Sequence, residues 1–214
     1  MNKKIESTIE FYLLATKLKE VIRSGWKVWH IHRERVESVA EHIYGTCILA
    51  IAIDSEFSMN IDLQKVILML VIHELEEIKI GDLTPFDKAT AEERRILGRK
   101  AVQEVLSHLT KKEEYLALIE EFEQMQTKEA LFAKMCDKLE ADIQSKIYCE
   151  EDCIDIDDKK NQELLQDKRI EKLLQKGEKT VADLFIENDR NWYQEETFIH
   201  ILDFVKTHQL LENS

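Results

Sequence analysis

The 214-residue chain contains little that interrupts a helix, since it has only one proline and five glycines. These two residue types break helices and are common in the turns between short strands. Their scarcity argues against a sheet-rich fold. Hydrophobic residues make up 44% of the chain and charged residues 34%, a mixture typical of a folded, highly charged helical protein. We therefore expect an all-α fold.

The sequence also lacks an apolar run of the about 20 residues that a transmembrane helix needs. Its first residues, Met1–Glu6, lack the apolar segment of a secretory signal peptide. Two of its four cysteines, Cys149 and Cys153, are close together in sequence but have no paired Cys or His partners for a zinc site. We expect a cytoplasmic protein with reduced cysteines.

Positive charge is in deficit, because 30 Lys and Arg face 43 Asp and Glu and the formal net charge is −13. Binding to a nucleic-acid polymer depends on basic side chains that neutralise phosphates, so this balance argues against such a partner. One basic segment runs from Arg23 to Arg35, with Lys27 and Arg33 inside it and only one acid, Glu34. It indicates a small anionic substrate, although a solvated basic loop would have the same composition.

Apolar residues at helical spacing predict most of the chain as helix. The predicted helices cover residues 5–22, 38 through 53, 62–80, about 90–109, about 111–125, about 127–149, 163–176, 180–188 and 195–211. The acidic residues 150–158 are predicted to form a loop between the sixth and seventh helices.

Capping patterns place three of the predicted helix starts. Ser38 and Thr90 each precede a glutamate three positions later, which is the capping-box pattern, and Asp62 is a cap for the third helix. If the third helix is continuous, His73 and Glu77 lie one turn apart on a shared face.

Two histidines and two acids stand inside otherwise apolar helical segments: His42, the pair His73-Glu74, and Asp137. A single buried histidine is more often an ordinary core residue than a ligand. Charged groups in several apolar segments are costly without partners, however, and a divalent-metal hydrolase draws such ligands from different helices. The set therefore favours a metal site.

The same residues resemble the HD-domain superfamily, most closely its bacterial 5′-deoxynucleotidase branch. The matching motifs are Glu37–His42, His73-Glu74 with Glu77, Gly81–Pro85, and Asp137. The similarity runs from about Gly25 to Asp137 and a little beyond. It implies an HD-domain-like helical bundle, commonly a homodimer, with a divalent metal ion such as Mn²⁺, Co²⁺ or Mg²⁺.

The resemblance also implies roles for individual residues. The implied metal ligands are His42, His73, Glu74 and Asp137. Glu77 would position or activate the attacking water, and Asp82 would help to orient the substrate or that water. Trp26 would pack on the nucleotide.

Two positions depart from the family pattern. The His-Asp pair that gives the family its name is His73-Glu74 here, one methylene longer. Gly25 stands where the nucleotidases have an arginine directly before the tryptophan. The phosphate would then be bound by Arg23, Arg33, Arg35 or Lys27.

These observations predict a metal-dependent phosphohydrolase that acts on nucleoside 5′-monophosphates without a nucleic-acid polymer or membrane as partner. One alternative is an HD-type hydrolase of another small phosphate ester or an alarmone. Another is a catalytically silent helical binding protein. Residues 1–160 would form the hydrolase domain, and the helices of residues 161–214 would pack on that same domain.

Overall fold

The computed structural model describes residues 2–84 and 90–212, and every regular element in these ranges is a helix. The α-helices are α1 (Lys3–Ala15), α2 (Ser24–Val28), α3 (Val39–Phe57), α4 (Leu63–Ile72), α5 (Glu77–Ile80), α6 (Ala91–Leu106), α7 (Lys112–Gln124), α8 (Lys128–Glu150), α9 (Lys168–Gln175), α10 (Val181–Asp189) and α11 (Glu196–Thr207). Short 3₁₀ turns lie at Thr16–Lys19, Lys159–Asn161, Leu164–Gln166 and Arg190–Trp192. The predicted all-α fold is confirmed.

The predicted helix starts are also confirmed. The Ser38 hydroxyl accepts a hydrogen bond from the Glu41 amide at 3.3 Å, and the Glu41 carboxylate accepts one from the Ser38 amide at 2.9 Å. Thr90 and Glu93 form the same reciprocal pair at the start of α6, and the Asp62 side chain caps α4. Each pair satisfies amides that a helix leaves unpaired at its N-terminus.

The first predicted helix is shorter than expected. α1 ends before the 3₁₀ turn at Thr16–Lys19, and Ile22 then forms an isolated antiparallel bridge with Ser38. The prediction was wrong here because apolar residues at this spacing can be buried without belonging to one continuous α-helix. Leu18, one of the residues that extended the pattern, is buried at 4% exposure within the 3₁₀ turn.

The third predicted helix is divided in two. α4 ends at Ile72 with His73 as its C-cap, residues 73–76 form turns, and α5 begins at Glu77. The prediction that His73 and Glu77 share one helix face was therefore wrong. No glycine or proline marks this break in the sequence, and the end of α5 at Gly81, with a φ of 73°, was predicted correctly.

Contacts between Cα atoms divide the chain into two compact units. The first unit takes in the described residues of Met1–Gly25 and Glu37–Lys134, and the second takes in those of Trp26–Val36 and Met135–Ser214. The predicted division into residues 1–160 and 161–214 stays a prediction.

Each unit has a hydrophobic core of its own. One buried hydrophobic cluster of the first unit contains Leu18, Val39, Ile72, Leu75, Val102, Val105, Leu106 and Ile119. Val39 and Ile72 anchor the helix ends that present His42 and His73, and burial of such a side chain contributes about 1.5–3 kcal/mol. A buried hydrophobic cluster of the second unit contains Trp26, Trp29, Tyr148, Ile154, Ile170, Leu173, Val181 and Leu184.

Among the helices of residues 2–84 and 90–212, none combines the length and the apolar character that crossing a membrane requires.

Candidate metal centre

His42 lies in the first turn of α3, and the residue is fully buried at 0% exposure. The capping box at Ser38 fixes where this helix begins. The next residue, Val39, donates its amide to the carbonyl of Val21 at 2.8 Å, which ties the helix start to the preceding segment. The backbone around His42 is therefore held by local hydrogen bonds, and its imidazole is shielded from water.

His73 is the C-cap of α4 and is buried at 4% exposure. Its Nδ1 lies 2.7 Å from the backbone oxygen of Leu70. A carbonyl oxygen only accepts, so Nδ1 carries a proton, and in the neutral imidazole Nε2 then carries the lone pair. Histidines that bind metals are commonly oriented in this way, with the second ring nitrogen donating to a backbone carbonyl.

Three of the predicted ligands come together in the first unit. His42, His73 and Glu74 each offer a ligand atom, and these atoms lie within 4.8 Å of one another. The two imidazole rings are 5.9 Å apart between centroids, with planes inclined at 58°. Separations of this size allow one ion to contact all three groups at ordinary ligand distances of about 2.0–2.2 Å.

The chemistry of these atoms fits a cation. Nε2 of His73 lies 3.2 Å from Oε1 of Glu74. Because Nδ1 is already donating, a neutral imidazole would face the carboxylate oxygen with the lone pair of Nε2. Two electron-rich atoms at this distance need a cation, or a second proton on the imidazole, between them. Imidazole and carboxylate together suit divalent transition metals, so the residues fit the implied ion.

Glu74 is the residue predicted to stand where the family pattern has an aspartate. Residues 73–76 form turns and not a helix, so the rotation of about 100° between adjacent helical residues does not apply to the pair His73-Glu74. The carboxylate of Glu74 reaches Nε2 of His73 in this arrangement despite its extra methylene.

Asp137, the fourth predicted ligand, belongs to the second unit. It lies on α8, three residues after the boundary between the units, and is buried at 7% exposure. Its membership of the ligand set stays a prediction.

Glu77 lies at the start of α5 and is buried at 7% exposure. Its Oε2 has no hydrogen-bond partner among the described residues. Burial, followed by the negative charges of Glu74 and Asp82, raises the pKa of Glu77 to about 11, while the positive charge of Arg23 acts in the opposite direction. A divalent cation beside these acids would act against this rise, since its charge favours the carboxylate.

Asp82 is held in place by the segment that precedes α2. Its Oδ2 accepts a hydrogen bond from the Ser24 amide at 2.6 Å, and its Oδ1 lies 3.6 Å from Nη1 of Arg23. The same Arg23 atom lies 3.9 Å from Oε1 of Glu74. Arg23 thus faces two acids of the site. The predicted motif continues to Pro85, which lies outside the described residues.

Three other predicted substrate residues lie in the second unit. Trp26 is only 2% exposed, and its ring stacks on Phe185 at 5.4 Å and meets the edge of Tyr148 at 5.2 Å. This environment favours a structural role for Trp26. Arg33 is exposed and pairs with Glu151 at 2.7 Å, and Arg35 is exposed. Their substrate contacts stay predictions.

One acid near the site was missed by sequence analysis. Burial, followed by the charge of Glu74, raises the pKa of Glu76 to about 7. Its side chain lies close to Gly98 of α6, where an added Cβ would make ordinary contact with the Cγ of Glu76 at 3.6 Å. The available signal was the acidic run around Leu75, since acids next to a buried leucine are costly unless they serve a site.

A family model described as HD domain matches residues 15–153 of this chain. The match covers all four predicted metal ligands. This chain belongs to the HD domain family. That its His73-Glu74 pair takes the place of the His-Asp pair stays a prediction.

Several HD-domain relatives are similar to this chain in sequence. It is 35% identical over 147 residues to 5′-deoxynucleotidase HDDC2 of Dictyostelium discoideum, and this match covers 65% of this chain and 76% of the relative. It is 28% identical over 144 residues to 5′-deoxynucleotidase HDDC2 of Homo sapiens, which covers 66% of this chain and 68% of the relative.

Solved structures share the HD-domain fold. A conserved hypothetical protein from Pyrococcus furiosus superposes with a TM-score of 0.58 at 28% identity, over 74% of this chain and 95% of that chain. A predicted metal-dependent phosphohydrolase from Magnetospirillum magnetotacticum MS-1 superposes with a TM-score of 0.61 at 22% identity, over 94% of each chain. At 22% identity, the similarity to the second of these structures shows a shared fold alone.

Proposed function

We propose that this HD-domain protein is a metal-dependent phosphohydrolase that releases phosphate from nucleoside 5′-monophosphates. The observation that supports this most strongly is the meeting of His42, His73 and Glu74, whose ligand atoms lie within 4.8 Å of one another. The substrate class is supported by the relatives named 5′-deoxynucleotidase.

The ligand set that we propose is His42, His73, Glu74 and Asp137, with Mn²⁺, Co²⁺ or Mg²⁺ as the metal. Asp137 is included because it matches the family pattern and is a buried acid on an otherwise apolar part of α8. A bound divalent ion would supply Lewis-acid chemistry, which polarises a phosphoryl oxygen and makes water more acidic.

Glu77 is the proposed base. Its carboxylate would accept the proton of the attacking water as the water oxygen bonds to phosphorus and the bond to the 5′ oxygen breaks. Asp82 is fixed by the Ser24 amide and its negative charge acts on Glu77, so it would help to keep the base in position and receptive to a proton. The proton that Glu77 accepts would then pass to the departing 5′ oxygen, so that Glu77 is restored and the products are the nucleoside and inorganic phosphate.

The basic residues would offset the charge of the phosphate group. Arg23 is the first of these, because its guanidinium group already lies beside Glu74 and Asp82. From there its positive charge could act on a phosphate group bound at the site. Arg33 and Arg35 would act from the second unit, and Trp26 would pack on the nucleotide.

A second function is favoured by one observation. Trp26 is buried by Phe185 and Tyr148, so base stacking of the nucleotidase kind would require this core to open. An HD-type hydrolase of another small phosphate ester would need no such movement.

A panel of substrates tests the proposal. Chelator-stripped protein would be resupplied separately with Mn²⁺, Co²⁺, Mg²⁺ and Zn²⁺, and phosphate release measured from ribo- and deoxyribonucleoside monophosphates and from non-nucleotide phosphate esters. We expect metal-dependent release from nucleoside 5′-monophosphates. Release from non-nucleotide esters alone would favour the second function, and metal binding without any release would contradict both.

Two further proposals concern the protein's state. A homodimer is supported by exposed apolar side chains along α1, namely Ile5, Ile9, Tyr12 and Leu13. A cytoplasmic location is supported by the cysteines, all four of which are free thiols. Sedimentation analysis and localisation of a tagged protein test these proposals.

A further inference from the structure

A short segment before α11, residues 189–193, is bonded to α8 close to Asp137. Nζ of Lys138 lies 2.9 Å from Oδ2 of Asp189 and 5.2 Å from the ring centroid of Trp192. Lys138 is the neighbour of Asp137 in sequence. The ion pair between Lys138 and Asp189 therefore contacts α8 directly beside the proposed ligand.

A second contact between this segment and α8, a hydrogen bond from Tyr193 to Asp142, is more deeply buried. The Tyr193 hydroxyl donates a hydrogen bond to Oδ2 of Asp142 at 2.6 Å. Asp142 is 0% exposed and Tyr193 is 5% exposed. Oδ1 of Asp142 has no hydrogen-bond partner in the described part of the chain, so Tyr193 supplies the main stabilising contact of a buried carboxyl.

The ion pair and the hydrogen bond are both made to one face of α8. Lys138 and Asp142 are four residues apart, and such residues lie on the same side of a helix. Burial, followed by the negative charges of Asp142, Asp189 and Asp137, raises the pKa of Tyr193, so the charge of Asp137 also acts on the phenol. Residues 189–193 are thus bonded to the turn of α8 that contains Asp137 and to the next one.

We propose that Tyr193 is a positioning residue for metal binding, which holds α8 through Asp142 so that the Asp137 carboxylate is presented at a fixed rotation about the helix axis. This inference rests on the proposed function, because it takes Asp137 to be a metal ligand. It also assigns a role to the C-terminal helices, which the sequence left without one.

The physical reason is the precision that a ligand needs. A metal ligand must be held within about 0.5 Å of its productive position, and loss of an outer contact commonly costs about 10–100-fold in metal affinity. A few degrees of helix rotation move a side-chain oxygen by a comparable amount. The buried hydrogen bond between Tyr193 and Asp142, about one turn away from the ligand, resists that rotation.

The test measures metal binding and not turnover. Chelator-stripped Tyr193→Phe protein would be titrated with Co²⁺, with the dissociation constant taken from calorimetry and the ligand geometry followed by visible absorption of the bound ion. We expect about 10-fold weaker binding and a changed absorption spectrum. Asp142→Asn keeps an acceptor for the Tyr193 hydroxyl, so we expect affinity close to that of the unchanged protein.

A matched control separates positioning from general destabilisation. Glu150 ties the C-terminal residues to the far end of α8, accepting hydrogen bonds from the amides of Leu210 at 2.9 Å and Leu211 at 2.8 Å. It is about 20 Å along the helix from Asp137 at 1.5 Å per residue. Glu150→Ala should lower the melting temperature while leaving Co²⁺ affinity and the spectrum unchanged.

Asp137→Ala provides the reference that separates the two proposals. If Asp137→Ala leaves Co²⁺ affinity unchanged, the proposed ligand set is wrong. If Asp137→Ala weakens binding but Tyr193→Phe does not, the positioning role alone is wrong. Equal weakening by Tyr193→Phe and Glu150→Ala would likewise overturn it, since both would then act through stability.

Discussion

Nη1 of Arg23 lies 3.6 Å from Oδ1 of Asp82, although the two residues are far apart in sequence. Both side chains are largely shielded from water, at 18% and 9% exposure. The residue before Arg23, Ile22, forms an isolated antiparallel bridge with Ser38, which holds the backbone next to Arg23. One basic residue of the predicted phosphate-binding segment thus lies beside the acids of the candidate metal centre.

Replacing Arg23 by glutamine should separate metal binding from turnover. The change removes a positive charge 3.9 Å from Glu74, so we expect Mn²⁺ affinity to rise a few-fold. We expect kcat/KM for the phosphate ester to fall by about 100-fold, as for loss of one donor to a developing charge. Metal titration and phosphate-release kinetics measure the two effects.

Arg95→Gln is the matched control for that change, because Arg95 pairs with Glu92 on the exposed surface of α6. It should leave both quantities unaltered. A fall in metal affinity in Arg23→Gln would contradict the expectation and show that Arg23 supports the ligands by holding them in place.

Replacing Glu74 by aspartate would restore the His-Asp pair of the family. In this chain, however, the longer side chain brings Oε1 to 3.2 Å from Nε2 of His73, and the shorter one would withdraw it. We expect about 10-fold weaker metal binding, by calorimetry on chelator-stripped protein. Tighter binding would indicate that the turn of residues 73–76 adjusts to the shorter side chain.

Truncating Trp26 should affect stability and substrate binding together. The ring packs against Tyr148 and Phe185 in the core, so Trp26→Ala should lower the free energy of unfolding by about 3–5 kcal/mol. The proposed nucleotide contact predicts a raised KM as well. An unchanged KM, measured at a temperature where the variant is fully folded, would leave Trp26 a purely structural residue.

Asp142 should make the protein's stability depend on pH. Burial, aided by the charge of Asp189, raises its pKa to about 8, against opposing effects of Tyr193 and Lys138. The folded state therefore keeps a proton that the unfolded chain loses above about pH 4. The contribution to stability is fully present below that pH and is lost as pH rises toward 8.

Denaturant unfolding at several pH values measures this effect. Between about pH 4 and 8 the contribution falls by at most about 1.4 kcal/mol per pH unit. Asp142→Asn cannot ionise, so its stability should decline less steeply over the same interval. Parallel curves for the two proteins would mean that Asp142 is ionised in the folded state at neutral pH.

How much the sequence predicted depends on the range of the interaction concerned. Ser38 and Thr90 were placed correctly because a capping box involves residues only three positions apart. The break after Ile72 was missed because no glycine or proline marks it in the sequence. The apolar pattern correctly indicated that His42, His73 and Asp137 are buried.

Contacts between distant residues could not be predicted from one sequence. The hydrogen bond from Ser24 to Asp82 and the one from Tyr193 to Asp142 each join residues more than fifty positions apart. Nothing in the local sequence around Tyr193 distinguishes it from an ordinary core tyrosine. The burial of Trp26 likewise depends on Phe185, in a helix whose sequence shows only apolar spacing.

The most direct test of the central claim compares bound metal and turnover in Glu77→Ala and in the unchanged protein. The proposed mechanism makes Glu77 a base and not a ligand. Metal content, measured by elemental analysis after loading with Mn²⁺, should therefore stay nearly the same while phosphate release is lost. Retained phosphate release, or the loss of metal together with activity, would contradict this account.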